Sequence, residues 1–418
     1  MEPQKSGLGA KAWAGTRWFG RKTAKLVRDS FSLARPLNKK EQNKFSRLKE
    51  YLKPEDEGRL LTLMRQGKAE IKLRKFDWSF LTSGKNIYPK TIFVPPEKRF
   101  LNPDTDVELK TRLWIEELDK RIRKRFFEIR FREFTERAWS FVPQFIAPNI
   151  MGLQHIKEAV ALQLFSKEPV HILLLGDIQT GKTDVLRSAA ELSPISASGL
   201  LGSDILDMGL AVTVRGKKVL PGLLPKAHLG VCCIDELNLV KKEDHAELCN
   251  AMEKGFIAYE RAGHCYRFEA LVKLLATANS TPENLKNQMP IDSELLSRFH
   301  LAFIAKKESL SEFAAIAEKI VSEDKVKVRL GDIMFLRRYL KYVSPLDVEI
   351  PKTLADKITG FVTELKQKEP ALSFEVTPKT VAGITRLAKA SARMEQRSLV
   401  EAKDLERVFS IVNKAFLL

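Results

Sequence analysis

The chain has 418 residues, 44% of them apolar and 30% charged, and a formal net charge of +18. That length fits two to three domains, and no apolar run approaches the roughly 18 residues needed to span a bilayer, so no helical membrane span is expected. The charge is uneven: residues 1–150 carry about 34 Lys and Arg against about 19 Asp and Glu, so a polyanion such as nucleic acid is the expected partner of the first third.

The N-terminus lacks the continuous apolar segment of a signal peptide and reads as a basic tail. The four cysteines (Cys232, Cys233, Cys249, Cys265) lie in one segment without C-x-x-C spacing. They read as reduced core thiols of a cytoplasmic protein (nucleoid-associated if the source is prokaryotic), with no zinc site.

Residues 1–45 combine Lys and Arg with Trp13, Trp18 and Phe19. Such a tail either contacts phosphates and stacks on bases or stays disordered. Residues 46–145 read as a mainly helical basic region. Phe45 to Met64 looks helical, and residues 87–96 look like an extended edge stretch interrupted by prolines. Residues 107–141 form a charged helical run with an apolar stripe at Ile122, Phe126, Ile129 and Phe134. Most of its charges read as a solvated face with internal pairs. Pro143 and Pro148 mark a boundary, and residues 146–165 read as an amphipathic helix entered through Gly152.

The apolar run Ile172 to Leu175 then reads as a buried strand. It breaks into Gly176, Asp177, Ile178, Gln179, Thr180, Gly181, Lys182 and Thr183, which fits the phosphate-loop pattern G-x-x-x-x-G-K-[ST]. A helix follows, so backbone N–H groups at its start can surround an anionic phosphate. Lys182 is expected to reach the β/γ-phosphates of ATP, and Thr183 to hold Mg²⁺. Residues 211–220 read as a hairpin with Arg215, Lys217 and Lys218 near its tip. Residues 229–240 read as a second buried strand ending in Asp235 and Glu236, suited to the Mg²⁺ shell and to polarising a water. Residues 256–270 read as a second hairpin with Arg261 near the bend. Residues 271–280 give a third buried strand ending in Asn279, whose amide can orient water. Residues 292–304 read as a helix, a turn carrying Arg298, and a strand. Beyond about 308 the chain reads as helical, with Thr377 as an N-cap and Pro378 at N1.

This order of motifs resembles the AAA+ ATPases and, within them, the minichromosome maintenance (MCM) helicases. The residues that carry the resemblance are IAPNIMGLQHIKEAVALQLF (146–165), VCCIDEL (231–237), MEKGFIAYERAG through ATAN (252–279), LLSRF (295–299) and TPKTVAGITRLAKASARM (377–394). The resemblance covers about 146–415. It implies an α/β P-loop fold with a parallel sheet core, two β-hairpin insertions and a C-terminal helical lid. The implied division is a tail (1–45), a mainly helical basic region (46–145), an ATPase core (146–307) and a lid (308–418). Lys182, Thr183, Asp235, Glu236 and Asn279 would form one half of an ATP site. Arg298 would be a finger acting on a neighbouring copy's ATP. The hairpins would face the channel of a homo-oligomeric ring, by resemblance a hexamer, and grip single-stranded or duplex DNA.

The chain also departs from the family. Gln179 replaces a glycine that eases a backbone turn. His300 stands in place of the Asp after Ser-Arg-Phe. Lys379 replaces the lid arginine, keeping its charge but losing the bidentate fork. The first third has no cysteine, so the family's zinc module is not expected there, and the chain reads as a shortened, divergent relative. Three functions compete: a DNA-dependent ATPase motor, an ATP- and DNA-binding paralogue that assembles or regulates another helicase, and a protein-remodelling ATPase like the chelatase and MoxR groups.

Overall fold

A computed structural model describes residues 35–80, 85–95, 105–177, 179–199, 209–216, 218–261, 263–279, 291–305, 328–369 and 374–416. Most of the tail 1–45, together with Ile178 and Lys217 from the expected sites, lies outside these residues. The chain forms two compact units, residues 1–76 with 81–130, and residues 77–80 with 131–418.

The first unit begins with helices α1 (Lys39–Lys49) and α2 (Pro54–Arg65). These correct the single helix expected over Phe45–Met64. Pro54 disfavours helical backbone at the residue before it, and Lys53 is extended at φ −84°, ψ 151°. Strands β1 (Ala69–Lys75) and β2 (Ile87–Phe93) pair antiparallel, so this region is less helical than expected. Helix α3 (Thr105–Thr135) buries Ile122 and Phe126 as the stripe required, while Ile129 is only half-buried. Its buried Asp119 accepts bonds from the Tyr88 hydroxyl (2.7 Å) and the Thr91 N–H (2.9 Å), which occupies part of the outer edge of β2.

The second unit starts with α4 (Ala138–Phe141) and a 3₁₀ turn, Val142–Phe145. Helix α5 (Gln154–Phe165) follows. It is shorter than the expected 146–165 and not amphipathic: Ile156, Lys157 and every residue from Ala159 to Phe165 are buried. It is packed by α6 (Lys182–Leu192), α12 (Pro378–Met394) and α13 (Ala402–Phe416), so from Ala159 onward no face is left to solvent.

The sheet contains β3 (Ile172–Gly176), β4 (Ser196–Gly199), β7 (Val231–Ile234), β10 (Lys273–Asn279) and β11 (Leu301–Ala305). All are parallel, in the order β11–β3–β10–β7–β4. The central strands are fully buried and therefore apolar nearly throughout. Two hairpins stand apart from this sheet: β5 (Val212–Arg215) with β6 (Lys218–Pro221), and β8 (Phe256–Arg261) with β9 (His264–Glu269). Short helices α7 (Leu223–Lys226) and α9 (Ser293–Leu296) and the longer α8 (Lys242–Lys254) connect these elements. The lid comprises α10 (Leu330–Val343), α11 (Lys352–Gln367), α12 and α13. No described helix is long and apolar enough to cross a membrane.

Three cysteines are buried, but Cys265 is exposed on β9, against the expectation of four core thiols. It lies on a hairpin strand whose burial alternates, and it falls on the outward face.

Candidate nucleotide site

In an open parallel sheet, ligands bind beyond the carboxyl ends of the strands. The register brings the ends of β3 and β10 level, with Asn279 beside Gly176, and pairs Ala276 of β10 with Ile234 of β7. The loop after β3 and the acids after β7 therefore meet at one edge.

Gly176 has φ 143°, and a Cβ there would lie 2.1 Å from the carbonyl oxygen of Ala305, so β11 leaves room only for glycine. Gly181 (φ 77°) precedes α6, and Gln179 adopts φ 70°, the left-handed backbone that a glycine would have eased. Thr180 donates to the Asp177 carbonyl at 2.9 Å. Lys182 is buried. Its ammonium donates to the carbonyls of Gly176 (3.0 Å) and Asp177 (2.5 Å) and to the Thr180 hydroxyl (3.2 Å). Burial pulls its pKa down, against the opposing pull of Asp235, Asp177 and Glu236.

From Thr183 a chain of hydrogen bonds runs across the strand ends. The Thr183 hydroxyl donates to Asp235 Oδ2 at 2.9 Å. Thr277 Oγ1 donates to Asp235 Oδ1 and accepts from the Glu236 N–H at 3.0 Å. The Asn279 amide donates to Glu236 Oε1 at 3.0 Å. Glu236 itself is left-handed, at φ 54° and ψ 51°. Such a conformation costs on the order of 1 kcal/mol in a non-glycine residue and persists only where neighbours hold it. The sequence reading missed Thr277, which ties both acids to β10.

A cleft of about 320 Å³ lies beside α6, lined in part by Ala147, Pro148, Asn149, Asp184, Ser188 and Ile333. Lys157 holds Ala147 of its wall from behind. Its ammonium donates to the carbonyls of Ala147 (2.9 Å) and Ile150 (2.6 Å), and burial lowers its pKa to about 8. The Ala147 N–H donates to Ser188 Oγ at 3.0 Å, and the Ile150 side chain fills the space where a Cβ on Gly181 would be.

Arg298 belongs to a second cluster. Its guanidinium pairs with Glu253 at the end of α8 and with Glu294 of α9 (3.1 Å), while its buried Nε has no hydrogen-bond partner among the described residues. The charge of Lys379 acts here too, lowering the Glu253 carboxyl and opposing protonation of His171 and His300. His300 packs against Gly383 of α12, accepts from the His171 N–H at 3.0 Å through Nδ1, and lies 2.9 Å from Arg386 Nη1. Burial pushes its pKa down to about 2, so it joins sheet to lid as a neutral ring in place of the family's Asp.

Arg215 and Lys218 face each other at the tip of the first hairpin, both exposed, with Gly216 turning at φ 61°. Arg261 lies opposite His264 at the bend of the second. Among the described residues no group of three or more His, Cys, Asp or Glu side chains is placed to hold a metal by itself.

Two family models match the chain, the MCM P-loop domain over residues 128–324 and the MCM AAA-lid domain over residues 334–416. Curated relatives agree. A minichromosome maintenance protein MCM of Saccharolobus solfataricus is 29% identical over 299 residues, 64% of this chain and 43% of that protein. A maternal DNA replication licensing factor mcm6 of Xenopus tropicalis is 27% identical, over 65% of this chain and 37% of its own. A DNA replication licensing factor MCM5 of Oryza sativa subsp. indica is 26% identical, over 68% of this chain and 45% of its own. The chain thus spans less than half the length of these relatives.

Proposed function

The chain belongs to the minichromosome maintenance (MCM) family, and from that premise we propose that it is an ATP hydrolase that couples hydrolysis to binding of nucleic acid, and to translocation or unwinding, as a ring of copies. The observation that carries this reading is the unbroken series of hydrogen bonds from Thr183 through Asp235, Thr277 and Glu236 to Asn279.

The residues fit a magnesium nucleotide. A hydroxyl and a carboxylate 2.9 Å apart, Thr183 and Asp235, are the hard oxygen donors that Mg²⁺ takes. The first N–H groups of α6 have no helical acceptors and suit an anion. The cleft between Asn149 and Ile333 suits a base. MgATP, when bound, supplies the anhydride bond and the charge of the metal. Lys182 offers the phosphates a cation already held inside the loop. Glu236 orients the attacking water and takes up its proton, with its backbone fixed by Thr277 and its carboxylate by Asn279. Arg298 and Lys379, grouped away from this series, serve the nucleotide of an adjacent copy. Arg215, Lys218 and Arg261, with Lys217 between the first two in sequence, contact phosphates without reading bases.

The test is ATP hydrolysis by the purified chain with and without single-stranded DNA, with Glu236→Gln as control. Hydrolysis that DNA stimulates and Glu236→Gln loses supports the motor. ATP and DNA binding without hydrolysis transfers the protein to the regulatory reading, which Gln179 and Lys379 favour. Hydrolysis indifferent to DNA supports protein remodelling.

A further inference from the structure

The second hairpin carries more than charge. Its register places Ile257 opposite Phe268, Tyr259 opposite Tyr266, and Arg261 opposite His264. Side chains alternate along a strand, so these six share one face. Ile257 at its root is buried, the three aromatic rings and Arg261 are half-buried, and His264 at the tip is exposed.

The opposite face satisfies itself. There the Arg267 guanidinium lies 4.0 Å from the Phe256 ring centroid, and its Nε donates to Glu269 at 3.1 Å. Both hairpin acids, Glu260 and Glu269, lie on that side by the register. The aromatic face carries no acid, and the buried Nη1 of Arg261 has no hydrogen-bond partner among the described residues. The Tyr266 and Phe268 rings are parallel within 5° with centroids 6.5 Å apart. Same-face residues repeat about every 6.6 Å along a strand, close to twice the ~3.4 Å step between bases of a nucleic-acid strand.

We propose that Tyr266 and Phe268, with Tyr259 beside them, form a stacking site for the bases of single-stranded nucleic acid, with Arg261 placed for the adjoining phosphate. The ligand is single-stranded because bases in a duplex already stack on one another and offer no free face. The inference rests on the reading that the hairpins meet nucleic acid, and adds that they grip bases as well as phosphates. An extended polypeptide is the competing occupant of an aromatic face.

The experiment measures binding of the full chain, by fluorescence anisotropy at fixed salt, to labelled oligothymidylate, to an abasic strand of equal length, and to an unfolded polypeptide. Wild type should bind oligothymidylate about ten-fold or more tighter than the abasic strand, since each stacked base contributes roughly 1–3 kcal/mol. Tyr266→Leu should remove that preference and leave abasic affinity unchanged, whereas Tyr266→Phe should retain it. The unchanged abasic affinity and the Phe variant separate stacking from misfolding. Equal wild-type affinity for both strands, or a Tyr266→Leu variant that keeps the preference, overturns the stacking site while leaving the phosphate grip intact. Tight binding of the polypeptide alone overturns both the site and the nucleic-acid reading.

Discussion

The phosphate-loop cluster and the Arg298 cluster solve opposite problems. In the first, the polar side chains have partners within the chain, from Lys182 on its own loop carbonyls to Asn279 on Glu236, and those bonds hold Glu236 in left-handed backbone. In the second, a single guanidinium is held by two exposed carboxylates, Glu253 and Glu294, and its Nε has no partner among the described residues. Pairs with solvent-exposed carboxylates contribute little, so the pairing is readily exchanged for a better anion. On the proposed reading, one half of a catalytic site is built rigidly while the other is left to be completed by an adjacent copy.

The largest effects should come from the rigid half. Lys182→Ala is expected to abolish nucleotide binding and hydrolysis together. Glu236→Gln should bind nucleotide normally and hydrolyse it about 10²–10⁴-fold more slowly, the usual contribution of a positioned base. Nucleotide titration beside steady-state hydrolysis separates the two; wild-type turnover in Glu236→Gln would remove that residue from the chemistry.

Arg298→Ala should keep nucleotide binding and lose about 10³-fold or more in hydrolysis, the scale of an arginine finger. Glu253→Gln, which frees the arginine from one partner, should leave turnover within a few-fold of wild type. A loss in Glu253→Gln equal to that in Arg298→Ala would mean that the ion pair itself, rather than the free arginine, is what activity requires.

Thr277→Val retains shape but removes the hydroxyl that joins Asp235 to the Glu236 backbone. Turnover should fall about 10–100-fold, because small displacements of positioned groups have that effect, with nucleotide affinity little changed. Thr277→Ser should restore most of it. A loss of affinity equal to the loss of turnover would make Thr277 a fold residue only.

The parts that follow local rules were legible in the sequence. Gly176 through Thr183 announce their loop, and Asp235 and Glu236 end an apolar strand. Thr277 was not, because a hydroxyl inside LLATAN is indistinguishable from a β-branched core residue until the register with β7 is known. Glu294, four residues before Arg298 in sequence, was within reach of helix spacing, but Glu253 is brought there by the fold. Strand β4, Ser196–Gly199, lacks β-branched residues and lies at the sheet edge, so nothing marked it. Strand β1 was marked, by Ala69, Ile71 and Leu73 alternating with Glu70, Lys72 and Arg74, and was overlooked.

The smallest effect concerns the wall of the cleft. Lys157 has its folded pKa lowered to about 8 from 10.5 by burial. Between those values the unfolded chain binds more protons than the folded one, so stability rises with pH through that window. Compared with Lys157→Met, which lacks the titration, wild type should gain on the order of 2 kcal/mol from pH 7.5 to pH 10, measured by denaturant unfolding at each pH. Parallel pH curves for the two proteins would show that the ammonium is not penalised by its site.

The central claim is that the two clusters complete one another between copies. Mixing Lys182→Ala with Arg298→Ala chains tests it directly. Each alone should be inactive, and the mixture should recover a fraction of wild-type hydrolysis, because some interfaces then pair an intact loop with an intact arginine. Wild-type hydrolysis by Arg298→Ala in a monomeric preparation, or a mixture as inactive as its components under conditions where wild-type chains assemble, would contradict the account.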